Sequence, residues 1–306
     1  MVLIRALLLL LAFAGSAAAD VGAIQSAWQT WATQNGVRSS SIAISRNGDV
    51  LARYGLGRGA DDPAPLASLS KSITGACVMR LVDAGRLSTG STVGQVLGGR
   101  FQMTPGASQI TVAELLTHTS GINRDVTQGR PSPWRARGGD RTPEVTASAL
   151  SRPPGPKGFA YNNENYAVLG SMIETVTGQN SASYCPRTLG INANVSSDFG
   201  GGVSWGGYEM SAADFTRFAS TLRPQGNWPR AEMGGGIVYG PGVMMKDGRD
   251  GTTLWHFGSW CFLLGRSAGA YFFQLPNSWG VTVTYDRCLS SNQTLALDAA
   301  LTAAIR

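Results

Sequence analysis

"DDPAPLASLSKSITGACVMRLVDAG", residues 61–85, decides how the rest of the chain is read. Pro63 and Pro65 lack the N–H and the backbone freedom that a helix interior needs, so no helix runs through them. A helix therefore begins near Ser68 and continues through "SITGACVMRLVDAG". At its start Ser68, Ser70 and Ser72 alternate around Lys71, one of three lysines in the chain. On a helix Lys71 lies one turn from Ser68 and on nearly the same face. Ser70 and Ser72 adjoin it in sequence and point about 100° away. Geometry selects Ser68 as the serine able to share a proton with Lys71. A serine at a helix N-terminus also sits beside unpaired N–H groups and the positive end of the helix dipole, which favour a developing oxyanion. A lysine buried there has reason to lose its proton and act as a general base. The same four residues also fit a plain N-cap followed by a solvated lysine.

Outward from this segment, strands stand at both ends of the chain. Residues 22–35 carry Ile24, Trp28 and Trp31 with helical spacing. "SIAISRNGDVLARYGLG" then places two apolar runs around Asn47-Gly48, a hairpin signal. Helical patterns dominate from Ser68 to about 222, broken by the loops "GRPSPWRARGGDR" (129–141) and "SRPPGPKGF" (151–159). Residues 211–222 form a marked helix with Ser211 as N-cap and Asp214 at the third helical position. Strand character returns after about 235 in "GIVYGPGVMM", "TLWHFGSWCFLLG", "GAYFFQLP" and "WGVTVTYD", and a last helix covers about 290–305. The fold class expected is α+β: an antiparallel sheet flanked by N- and C-terminal helices, with a mainly helical domain inserted. Residues 20–66 and 236–306 would form the α/β domain and 67–235 the insert, with a cleft between them.

The opening "MVLIRALLLLLAFAGSAAAD" has a basic n-region, an apolar core and a small-residue end at Ala17-Ala18-Ala19, the pattern of a signal peptide over residues 1–19. An uncleaved N-terminal anchor is the alternative. The expectation is an exported protein, periplasmic or secreted, with no transmembrane segment after cleavage. Net charge is +6, scattered and mostly arginine, so no basic stripe interleaved with aromatics points to nucleic acid. Cys77, Cys185, Cys261 and Cys288 allow one or two bridges, with three full pairings open. Two histidines and no metal-ligand spacing lead us to expect no metal and no cofactor.

Further along, Tyr161 and Asn163 stand in a Y-x-N spacing ahead of an apolar-periodic helix, where a phenol can relay a proton and an amide can hold a carbonyl. A core tyrosine beside a turn-forming asparagine pair fits equally. His256 lies in a strand-like run, followed by Gly258, whose missing side chain suits close backbone approach. His118, at a helix end, reads as structural, bonding terminal carbonyls. "GVSWG" at 202–206 is formally a G-x-S-x-G motif, but no strand precedes Ser204, so a glycine-rich loop is expected instead. Trp205, Trp228, Trp255, Trp260 and Trp279 offer apolar walls for an acyl group, some of them as core.

Ser68-x-x-Lys71, Tyr161-x-Asn163 and His256-x-Gly258, with "ITVAELLTHTSGI" and "YNNENYAVLGSMIETVTG" between them, resemble the serine β-lactamase-related hydrolases over roughly residues 40–290. That family includes class C β-lactamases, D,D-peptidases, D-aminopeptidases and β-lactamase-fold esterases. The resemblance implies Ser68 as acylated nucleophile, Lys71 as base and Tyr161 as the relay to the leaving group. It implies Asn163, His256, Gly258 and Ser259 as substrate-binding residues, and the N–H groups of Ser68 and Ser259 as an oxyanion hole. Histidine at 256 replaces the lysine of the β-lactamases proper, which removes a fixed charge for a substrate carboxylate. The expected substrate is a small molecule or short peptide, cleaved at an ester or amide. The alternatives are a catalytically weak penicillin-binding or scaffold protein on the same fold, or a true β-lactamase.

Overall fold

The computed structural model describes residues 21–128, 139–224, 226–261 and 266–305; the leader reading and most of the 129–141 loop lie outside them. Helix α1 (21–34) leads into β1 (Ser40–Arg46) and β2 (Asp49–Leu56). Asn47 and Gly48 both have positive φ, 56° and 89°, as a two-residue hairpin turn requires. The chain returns to this sheet through β6 (Ala231–Gly234), β7 (Ile237–Tyr239), β8 (Met244–Gly248), β9 (Gly251–Trp260), β10 (Ala268–Gln274) and β11 (Trp279–Tyr285). The sheet is antiparallel, in the order β2-β1-β11-β10-β9-β8-β7-β6, so β1 pairing with β11 joins the two ends of the chain. The edge strand β2 alternates exposed and half-buried residues, whereas β10 and β11 are buried on both faces. Tyr271, Phe273, Val281 and Val283 pack against Ile24 and Trp28 of α1 and Leu297 and Leu301 of α11 (Ser291–Ala303). Burying side chains of this size contributes roughly 1.5–3 kcal/mol each.

Ala270 and Phe272 point to the other face and join the core of the helical region. That region holds α2 (Ser70–Asp83), α3 (Val93–Leu97), α4 (Pro105–Ser108), α5 (Val112–Leu116), α6 (Thr142–Leu150), α7 (Asn163–Thr177), α8 (Ser181–Leu189) and α9 (Val203–Gly206). A small sheet of β3 (Ala64–Pro65), β5 (Tyr208–Met210) and β4 (Asn194–Val195) marks where the chain enters and leaves it. Helix α10 (Ala212–Ala219) lays Ala212 and Ala213 on Ala43 of β1, and Phe215 on Phe272, with ring centroids 5.2 Å apart. Helical periodicity identifies α10 but does not say which layer its apolar face covers. Its N-cap is as expected, with Ser211 accepting from the Asp214 N–H at 3.0 Å. Of the three open cysteine pairings the fold takes Cys77–Cys185, tying α2 to α8, and Cys261–Cys288, tying the end of β9 to the approach to α11.

Candidate active site

The prolines act as anticipated, but the helix starts two residues later than expected. Ala67–Leu69 is a single 3-10 turn, and α2 begins at Ser70. Ala67 has φ 47°, a left-handed conformation that costs a non-glycine residue about 1 kcal/mol or more. This strained turn lifts the half-buried Ser68 out of the helix and toward the sheet. Ser70 and Ser72 are spent elsewhere. Ser70 Oγ accepts from the Tyr208 N–H at 3.1 Å, and Ser72 Oγ donates to the Leu69 carbonyl at 2.6 Å.

Lys71 is fully buried, and its Nζ lies 3.3 Å from Ser68 Oγ. It donates to Asn163 Oδ1 at 2.6 Å and to the Trp205 carbonyl at 2.8 Å. Loss of hydration brings its pKa down to about 7, against a smaller upward pull from Asp125. Tyr161 covers it, with Nζ 4.9 Å from the ring centroid. Although 42 % of this tyrosine is exposed, its ring lies against the Lys71 amine that neighbours Ser68. Desolvation raises the phenol pKa, and the neighbouring Ser68 side chain opposes that rise. Ser68, Lys71, Tyr161 and Asn163 thus lie together around the Lys71 amine. Asn163 differs in one respect. Both ends of its amide are used within the protein, since Nδ2 donates to Thr127 Oγ1 at 2.8 Å.

Strand β9 forms the opposite wall. A Cβ on Gly258 would stand 2.6 Å from the Leu66 carbonyl and 2.9 Å from the Ser68 nitrogen, so only glycine allows the strand this close to the Ser68 turn. Ser259, the next residue, is exposed. His256 is buried, and both ring nitrogens are engaged. Nδ1 donates to the Phe257 carbonyl at 2.6 Å, leaving Nε2 to accept from the Tyr239 hydroxyl at 3.1 Å. Burial, with Lys71 nearby, pushes its pKa down to about 3, so it supplies no positive charge near neutrality. The ring ties β9 to Tyr239 of the neighbouring strand β7.

His118 does not bond the carbonyls of α5 as expected. Its Nδ1 accepts from the Asn162 N–H at 3.3 Å and from Asn165 Nδ2 at 3.2 Å, while its ring lies 4.5 Å from that of Tyr161 and 4.7 Å from that of Tyr239. It braces the Y-x-N turn from behind, a structural role by another route. Of the tryptophans, Trp205 and Trp279 are core and Trp255 packs toward the terminal helices. Trp260 stacks on Phe199 with centroids 5.6 Å apart and donates Nε1 to the Gly206 carbonyl. Ser204 is buried in α9 and its Oγ pairs with Thr142 Oγ1 at 2.7 Å, so the G-x-S-x-G stretch is a packing segment. Sequence reasoning missed three participants: the Trp205 carbonyl, Tyr239, and the Asp125–Thr127 pair behind Asn163. A backbone carbonyl leaves no mark on residue type, and single tyrosines or aspartates far off in sequence carry no spacing. Among the described residues no group of three or more His, Cys, Asp or Glu is placed to hold a metal ion.

Comparisons with known proteins place the chain among relatives of the same fold. The Beta-lactamase family model matches residues 22–189. Penicillin-binding protein 4 of Amycolatopsis lactamdurans is 34 % identical over 159 residues, which cover 48 % of this chain and 40 % of that protein. Protein flp of Staphylococcus aureus is 31 % identical over 160 residues, 48 % of this chain and 32 % of that one. The matched region thus spans well under half the length of these curated relatives. The D-amino acid amidase of Ochrobactrum anthropi SV3, solved with L-phenylalanine amide, superposes with TM-score 0.72 at 15 % identity, covering 94 % of this chain and 98 % of that one. That last likeness speaks for the fold alone. With the family model matching more than half of its length, the chain belongs to the β-lactamase family.

Proposed function

We propose that the protein is an exported serine hydrolase that forms an acyl-enzyme on Ser68 from an ester or amide substrate. The observation that carries this reading is the hydrogen-bond accounting at Lys71. A neutral amine has two N–H bonds, and both have acceptors, Asn163 Oδ1 and the Trp205 carbonyl. Its lone pair is left for the Ser68 hydroxyl 3.3 Å away, and a pKa of about 7 makes the neutral form available.

Lys71 takes the Ser68 proton as Oγ attacks the substrate carbonyl carbon. The negative charge developing on the carbonyl oxygen is received by the N–H groups of Ser68 and Ser259, a role supported by the close approach of Gly258, next to Ser259, to the Ser68 nitrogen. Tyr161, whose ring lies against Lys71, passes the proton to the leaving group as the scissile bond breaks. Water then repeats the sequence on the acyl-enzyme, with the carboxylic acid as product. A neutral, buried His256 provides no cation for a substrate carboxylate, which favours ester or simple amide turnover over β-lactam turnover. Two disulfides favour an oxidising compartment and so support export. The test is a panel of p-nitrophenyl esters, D-amino-acid amides, D-Ala-D-Ala peptides and nitrocefin, with Ser68→Ala as control. Short-chain esters are expected to lead. Nitrocefin hydrolysis outpacing the esters refutes the ranking, and turnover that survives in Ser68→Ala refutes the mechanism.

A further inference from the structure

The reading of Lys71 as base depends on which way round the Asn163 amide stands, and something must fix that. Its carbonyl has to face Lys71. An N–H2 turned toward the amine would instead donate to the lysine lone pair and take it from Ser68. The residues behind Asn163 supply a reason for the observed orientation. Thr127 Oγ1 lies 2.6 Å from Asp125 Oδ1. A carboxylate oxygen only accepts, so the single hydroxyl proton of Thr127 is committed to Asp125. Thr127 then presents only lone pairs to Asn163, 2.8 Å away, and the Asn163 atom facing it has to be Nδ2. Oδ1 is consequently the atom that meets Lys71. Asp125 is itself fixed, accepting the Thr127 N–H at 2.9 Å and, through Oδ2, the Asn163 N–H at the start of α7 at 3.0 Å.

We propose that Asp125 and Thr127 are positioning residues that set the polarity of the chain Asp125–Thr127–Asn163–Lys71 and so keep the lysine lone pair on Ser68. This inference rests on the reading of Ser68 and Lys71 as nucleophile and base. Neither residue touches substrate; both act through Asn163. The groups facing Lys71 are Ser68 and the rings of Tyr161 and Tyr166, with His118, His256 and Asp125 beyond. Burial holds the two histidines neutral and the two phenols protonated, whereas the charge of Asp125 favours the ammonium form.

Thr127→Val keeps the shape and removes the hydroxyl. With the amide free to turn, the Lys71 ammonium loses an acceptor, which disfavours the charged form. The acid limb of kcat/KM against pH, measured on a p-nitrophenyl ester, should move to lower pH by about one unit or more. The alkaline plateau should fall by about 10- to 100-fold as the lone pair is diverted. Thr127→Ser, which restores the hydroxyl, should return both to wild type. Mere loosening of the fold would lower the plateau and leave the limb in place. An unmoved limb in folded Thr127→Val, or no rescue by serine, overturns the proposal. Should valine prevent folding, Asp125→Asn removes the obligate acceptor. Loss of the Asp125 charge moves the limb down by itself, so the readout there is the alkaline plateau. It must fall as in Thr127→Val, and an unmoved plateau overturns the proposal. Fluorophosphonate labelling of wild type separates the two levels. No adduct on Ser68 defeats the underlying reading and the proposal with it, whereas an adduct with an unmoved limb defeats the proposal alone.

Discussion

Replacing Gly258 by alanine tests the geometry of the site without touching any group that moves a proton. The new Cβ would stand 2.6 Å from the Leu66 carbonyl oxygen, 2.9 Å from the Ser68 nitrogen and 3.1 Å from the Ala67 Cβ. Ordinary non-bonded contacts settle near about 3.5 Å, so β9 and the Ser68 turn must separate by up to roughly 0.9 Å. Two of these neighbours are backbone atoms, in a turn already strained at Ala67, and neither can swing aside. The separation pulls the Ser259 N–H away from that of Ser68. Displacing one oxyanion donor costs about 100- to 1000-fold in kcat. Overpacking costs about 1–3 kcal/mol of stability, roughly 2–5 °C in a chain of this size. The assay is kcat/KM on p-nitrophenyl acetate together with the melting temperature. Gly248→Ala serves as control, because its Cβ meets nothing closer than the Gly251 carbonyl at 3.5 Å, and it should stay within about twofold of wild type. A Gly258→Ala enzyme that is folded and within twofold of wild type refutes the oxyanion-hole geometry.

Lys71→Met should abolish turnover and stabilise the fold. The folded pKa of about 7 lies below the free-lysine value of 10.5, so the buried amine costs most below pH 7, and that cost fades as pH rises toward 10.5. The gain in Lys71→Met is therefore largest near pH 6, at most about 5 kcal/mol, and disappears near pH 11; denaturant melts across that range show it, and a pH-independent gain contradicts it. Removing Cys77–Cys185 as a double alanine variant should cost more than removing Cys261–Cys288, about 5 against about 3.5 kcal/mol, because the first closes a loop of 108 residues and the second one of 27. Equal losses in urea melts would point to native-state strain or residual structure in the unfolded chain. Ser204→Ala should keep esterase activity and lose about 1–3 kcal/mol by leaving the buried Thr142 hydroxyl unpaired; lost activity without lost stability would revive the G-x-S-x-G reading.

The sheet and its terminal helices were legible because they rest on strong local signals. Asn47-Gly48 turns the first hairpin, and Trp28 and Trp31 repeat on one face of α1. Ser68, Lys71 and Tyr161 were legible as motifs, and helix geometry alone chose Ser68 over its neighbours. The layer that α10 covers was not legible, because its ordinary amphipathic pattern finds its partner only in three dimensions. The pairing of Cys77 with Cys185 was equally hidden, since four cysteines permit three arrangements and spacing favours none. His256 shows another limit. Its place in the motif was readable, but its burial under Tyr239 follows from how β7 and β8 carry that tyrosine alongside β9. Thr127 and Asp125 act through hydrogen-bond direction, which no residue count reveals.

The central claim is that Ser68 is the nucleophile and that its reactivity depends on a neutral Lys71. Intact-mass and peptide-map spectrometry after exposure to a fluorophosphonate tests it directly when the labelling rate is followed from pH 5 to pH 9. The account predicts one adduct, on Ser68, with a rate that rises through about pH 7 as Lys71 loses its proton. An adduct on Ser70, Ser72 or Ser204, or a Ser68 rate that is flat across that range, would contradict it.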